Sequence, residues 1–261
     1  GLAVLIYFIP KITQRELHSR QWAAFGFWLL LILGGWVNLN SGSPLPVWSI
    51  KLSQFASALF VFVMVAVGWN LYQTAKGVPL IGSEDLTLKF MGASLGSWML
   101  VALFTTGNSM AEWNGLLQFT YAGTAMRHVF AWGFFAMAMF GAIYYVAPRL
   151  FGSEVDWACS GTYKWIFYFT AAGVIIIGLA GLGLSYGHGN ALEEGVAAEV
   201  VAKAAKRPMM YAFIGELLFL AGSLIFLCSM ACLLFRNCCG ECGPMAIIRQ
   251  CRAVKAEGGA E

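Results

Sequence analysis

Six stretches of about twenty residues, at about 21–37, 54–72, 90–107, 120–147, 163–186 and 209–235, are apolar at nearly every position. A helix needs about 20 such residues to cross a bilayer, and in lipid only helices and closed barrels satisfy every backbone N–H and C=O. Barrel strands are about ten alternating residues long, so these stretches predict an all-α, polytopic transmembrane helix bundle. A further helix is expected at residues 1–9, GLAVLIYFI, which is apolar from its first residue and stops at Pro10-Lys11. It reads as the end of a span that begins elsewhere, which suggests a fragment, a processed chain or the second half of a split protein. The expected organisation is therefore a bundle of about seven helices over 1–235, the first of them truncated, followed by a tail over 236–261. A composition of 59% hydrophobic and 11% charged residues excludes a soluble globular domain.

The basic residues assign sides, because cytoplasmic connections of membrane proteins carry an excess of Lys and Arg. Counted by alternate connections, Lys11, Arg15, Arg20, Lys76, Lys89, Arg149, Lys164, Arg236, Arg249, Arg252 and Lys255 share one side; Lys51, Lys203, Lys206 and Arg207 share the other. This places the C-terminal tail and the 10–20, 76–89 and 148–162 connections in the cytoplasm. The net charge of +3 reflects that bias and implies no nucleic-acid partner. His18 and His188 fall in connections and read as surface or loop residues.

The stretch AMRHVFAW, residues 125–132, sets Arg127 and His128 side by side within the 120–147 span. An ionisable side chain at the centre of a membrane helix costs about 2.5–3.5 kcal/mol on insertion scales, so it faces a partner or a cavity. Arg127 has the choice of snorkelling outward, pairing with Glu112, or meeting a haem propionate. His128 is either a core histidine bonded to a carbonyl or an axial ligand of haem iron. Small and aromatic neighbours, Gly123, Ala125, Ala131, Trp132, Gly133, Phe134 and Phe135, would let a flat macrocycle approach. Met126 is either packing or a thioether ligand. Glu216 is the one clearly intramembrane acid and has no evident relay around it in the sequence.

AIYYVAP (142–148), with the helix before it, resembles the catalytic subunit of the C-family, cbb-type cytochrome c oxidases of the haem–copper oxidase superfamily. YFIPK (7–11), SPLP (43–46), DLTLKFM (85–91) and RPMMYAFIGELLFLAGSLI (207–225) resemble further pieces of that subunit, in order. The resemblance covers essentially the whole chain but only the second half of the family's subunit. It implies a twelve-helix-like bundle completed by an N-terminal half on a separate chain, in a bacterial inner membrane. Family members carry a His-x-His pair on the helix matched by 120–147, the first imidazole for the oxygen-reducing high-spin haem and the second for the low-spin haem. Counting back from Pro148 puts the first on Met126 and the second on His128. The family's adjacent copper-ligating histidines fall on Asn38 and Leu39, its active-site tyrosine near Ile32, and a carboxylate on Phe104. Leu39 cannot ligate copper and Asn38 is a poor substitute for imidazole, so no copper and no catalytic residue is expected. The resemblance then implies a low-spin haem b on His128.

Seven cysteines are present, and Cys238, Cys239, Cys242 and Cys251 lie in RNCCGECGPMAIIRQC. In a cytoplasmic tail a Cys-x-x-C suggests reduced thiols, or zinc or an iron–sulfur cluster, rather than disulfides. Taken together, these features predict a haem b-binding electron-transfer subunit of a respiratory complex that no longer reduces oxygen. Its partners would be a c-type cytochrome subunit and a quinone. A functional terminal oxygen or nitric oxide reductase, and a cofactor-free scaffold for cytochrome subunits, are the alternatives.

Overall fold

A computed structural model describes residues 1–37, 39, 44–80, 85–151 and 160–242, with only the backbone described at 148, 151, 160–163 and 232–242. Among the described residues every regular element is helical: α1 (Leu2–Thr13), α2 (Arg20–Gly34), α3 (Val47–Thr74), α4 (Leu86–Gly107), α5 (Ala111–Leu117), α6 (Ala122–His128), α7 (Met137–Phe151), α8 (Ser160–Leu179), α9 (Ser185–Glu193) and α10 (Ala198–Cys242). Two π-helical stretches, Val129–Ala136 and Ala180–Leu184, join α6 to α7 and α8 to α9, so each trio is one continuous helix.

Five of these are long and apolar enough to cross a membrane: Val47–Thr74, Leu86–Gly107, Ala122–Ala147, Lys164–Glu193 and Ala198–Ala231. Each matches an expected span, and several extend beyond it: the first begins at Val47 rather than near 54, and the second at Leu86 rather than near 90. The span expected to end at about 186 continues to Glu193, and the last helix begins at Ala198 rather than near 209. The stretch expected at about 21–37 is helical only over Arg20–Gly34, 15 residues. That is about 22 Å at 1.5 Å per residue, less than the roughly 30 Å hydrocarbon core. At the other extreme, α10 has 45 residues with Pro208 inside it. Its helical backbone runs through Cys238 and Cys239 to Cys242; the side chains of these three, and Cys251 altogether, lie outside the described residues.

Caps and short polar links organise the α1–α4 side. Ser19 Oγ accepts from Trp22 N–H at the start of α2, and Asp85 accepts from Thr87 N–H at the start of α4, each satisfying a donor that the first helical turn leaves free. The connection before α2 is bound to α3 by the buried Asn70. Its Oδ1 accepts from Ser19 N–H at 2.9 Å and its Nδ2 donates to the Ser19 carbonyl at 2.8 Å. Below them, Leu5, Ile9, Val63, Val67, Leu71 and Met91 form the core between α1, α3 and α4.

A second packing principle governs the α6–α10 side. α8 and α10 cross at glycines: a Cβ on Gly173 would lie 2.6 Å from the Gly215 carbonyl, and one on Gly215 would lie 2.7 Å from the Gly173 carbonyl. Small residues let backbones approach in this way within membranes, where the hydrophobic effect does not hold helices together. The π-helical stretch after His128 is held from α4. Ser94 Oγ, fully buried, donates to the Phe134 carbonyl at 2.6 Å. A Cβ on Gly133 would come within 2.6 Å of both Ser97 Oγ and Val174 Cγ1. Wide helical turns of this kind recur beside functional sites.

Candidate functional site

His128 is the last residue of α6, where the helix begins to widen, and its side chain turns toward α10. There Nδ1 lies 3.1 Å from Glu216 Oε1, with both side chains about 30% exposed. The distance is that of a hydrogen bond, but the alignment is not: Nδ1 is buried with no aligned hydrogen bond. Tyr121, just before α6, donates its hydroxyl to the same Glu216 oxygen at 3.3 Å. One carboxylate therefore gathers two side chains from the beginning and end of α6.

The ring face is enclosed as well as its edge. Trp132, one turn after His128, stacks on the imidazole with centroids 4.7 Å apart and planes 13° apart. Phe219 of α10 also stacks on Trp132, at 5.1 Å and 9°. Glu216 and Phe219 are three residues apart, hence neighbours on one face of α10, so a single helix face supplies the carboxylate and the outermost ring. Gly215, adjacent to Glu216, makes the close crossing of α10 with α8.

Met126 and Arg127 address different surroundings. Met126 is buried against Ala125, Val129, Val174 and Ile177 and also lines a cavity of about 540 Å³. Arg127, Phe60, Trp98, Phe104 and Phe134 form other parts of that wall. His128 does not line it. Arg127 is exposed and donates to Thr124 Oγ1 at 3.0 Å; among the described residues it makes no ion pair with Glu112. Phe104 sits on the cavity wall. Leu39 donates its N–H to Ser53 Oγ at 2.9 Å, and Asn38 lies outside the described residues.

His188 corrects an expectation. It is 8% exposed, within α9, and not a loop residue. The cause is α9 packing on the short α5, where a Cβ on its neighbour Gly189 would lie 2.4 Å from the Leu116 carbonyl; α5 was missed because seven residues carry too little periodicity to read. His18 is exposed in the connection before α2, as expected. No group of three or more His, Cys, Asp or Glu side chains able to hold a metal ion occurs among the described residues.

The fold and this polar cluster define a polytopic, all-α membrane protein with a histidine pinned between a carboxylate and stacked rings. Residues 1–218 match the profile of the family described as Cytochrome C and Quinol oxidase polypeptide I, and the chain belongs to that family. It is 26% identical over 238 residues to cytochrome c oxidase subunit 1 of Rhodobacter capsulatus, covering 86% of this chain and 44% of the relative. It is 26% identical over 159 residues to the cbb3-type cytochrome c oxidase subunit CcoN1 of Stutzerimonas stutzeri, covering 59% of this chain and 33% of the relative. A subunit 1 homolog of Azorhizobium caulinodans matches at 26% over 233 residues, 86% of this chain and 42% of the relative. The chain thus spans between a third and under half of the length of these relatives. It is the partial, oxidase subunit I-like chain that the sequence motifs resemble.

Proposed function

We propose that this chain supplies one axial ligand, His128, to a low-spin haem b in a respiratory membrane complex, and that it carries electrons without reducing oxygen itself. The observation that carries the reading is the imidazole's partition. Nδ1 is turned to a carboxylate, while Nε2 makes no hydrogen bond among the described residues. A histidine that ligates through Nε2 has its proton on Nδ1, and metal-ligating histidines almost always give that proton to a carboxylate, carbonyl or water. The buried, unaligned Nδ1 and its acidic neighbour therefore fit the donor set that a haem requires. The haem, when bound, supplies the one-electron chemistry. His128 holds the iron, Trp132 and Phe219 keep water from the ring face, and Arg127 offers a guanidinium for a propionate. The second axial imidazole would come from the remainder of the subunit, as a separate chain. Exchange partners would be a c-type cytochrome subunit and a quinone, with the complex in a bacterial inner membrane and the C-terminus in the cytoplasm. Thiol or metal chemistry at Cys238, Cys239, Cys242 and Cys251, with zinc or an iron–sulfur cluster, stays a proposal of the sequence alone.

Dithionite-reduced spectra of the purified complex test the reading. The low-spin haem b band is expected to disappear in His128→Ala, and a band of undiminished height in that variant would overturn it. A second reading, a working oxygen or nitric oxide reductase, is favoured by the cavity that persists behind Met126 and Arg127. Carbon monoxide binding to a high-spin haem that depends on residues of that wall would decide for it.

A further inference from the structure

Glu216 belongs to the last long helix and is held by groups that have nothing else in common: a tyrosine before α6, a histidine at its end, and a glycine crossing with α8. From this we infer that Glu216 is a positioning residue for the His128 imidazole, setting both the plane of the ring and the electron-donating strength of Nε2. The inference rests on the haem reading above.

Three constraints converge on one ring. Glu216 Oε1 sits at the Nδ1 edge at 3.1 Å. The Tyr121 hydroxyl, at 3.3 Å from the same oxygen, restricts the carboxylate's rotation about its own helix. Trp132, backed by Phe219, restricts tilt by lying nearly parallel to the imidazole, at 13°. A carboxylate 3.1 Å from Nδ1 is within reach of its proton once the ring turns into line; an Nδ1–H given to it makes the opposite nitrogen a stronger donor, and a stronger donor favours the ferric over the ferrous haem. The close crossing at Gly173 and Gly215 fixes α10 against α8 one residue before Glu216.

The test uses the complex purified from membranes, with haem b content, midpoint potential and the ferric low-spin electron paramagnetic resonance signal measured on each variant. His128→Ala examines the haem reading by itself: a haem b component unaffected by that change defeats the reading, whatever Glu216 does. Given a component that does depend on His128, Glu216→Leu is expected to move its midpoint to more positive potential. It should also shift the largest g-value and weaken haem retention by about 10–100-fold. Glu216→Gln, which keeps an acceptor oxygen at the same reach, is expected to restore retention and to bring the g-value back toward wild type. Tyr121→Phe should shift the potential the same way by less, with haem content unchanged. Unaltered potential and g-value in Glu216→Leu would overturn the inference while leaving the haem reading intact. A Gln variant no closer to wild type than the Leu variant would overturn it too.

Discussion

At the scale of single residues, an intramembrane polar group carries a cost that a partner has to offset. His128 and Glu216 each offset the other's, from helices far apart in sequence; the Tyr121 contact to the same acid spans 95 positions. Asn70 is the comparable case on the other side of the bundle. Its amide takes up both the N–H and the carbonyl of Ser19, and it is 2% exposed. Replacing Asn70 with Leu would leave both Ser19 backbone groups without their partner, at about 1–3 kcal/mol each when buried. The expected outcome is a lower Tm in detergent, read by loss of native fluorescence, with no change in the haem spectrum, because Asn70 bonds the Ser19 backbone and no residue of α6 or α10. Both polar residues of the site were legible as oddities in an apolar stretch. Their pairing was not, since no local pattern relates position 128 to position 216.

At the scale of elements, α4, the α6–α7 helix, α8 and α10 pack through clusters of buried apolar side chains and, at their closest approaches, through small residues. Glycines 133, 173 and 215 each face backbone or a packed side chain at under 3 Å from where a Cβ would be. Gly215→Val is predicted to separate α10 from α8 and to withdraw Glu216 from His128. Haem b content should fall even though no polar group has been altered. Gly183→Ala, at a position whose Cβ meets nothing within 4 Å, is the matched control and should leave both haem and Tm unchanged. Gly133→Ala should instead compromise the π-helical stretch, since the added methyl would collide with Ser97 and Val174. Its expected signature is a shifted haem spectrum with near-normal assembly, checked by comparing subunit stoichiometry with absorbance. Helix existence was readable from the apolar runs, and boundaries less so. Two spans extend through residues that look like loop in sequence, the 187–193 and 198–208 segments, because α9 and the first turns of α10 are stabilised by packing on α5 and by helical continuity. His188, read as a loop residue, became a buried one for that reason.

At the scale of the whole molecule, much of the apolar surface is uncovered. Trp28, Ile32, Phe55, Phe62 and Trp69 on α2 and α3, and Phe213, Leu217, Leu220 and Leu224 on α10, are all more than 45% exposed. Surface of this kind is stable only against lipid or further helices. The asymmetry of Lys and Arg predicts which way the bundle sits. Reporter domains inserted in the 76–84 connection are expected to be active on the cytoplasmic side, and those at 194–197 on the outer side. The reverse pattern would reject the assignment by basic residues. What the sequence determined alone was the class of structure: apolar runs of about twenty residues leave a backbone no alternative to helices in lipid, and the ordered motifs marked the family. What only the tertiary structure decided was the company of His128. Periodicity and composition act over a few neighbouring residues, whereas the approach of an acid, a tyrosine and stacked rings to one imidazole depends on where α10 lies beside α6, a relation that exists only once the chain has packed.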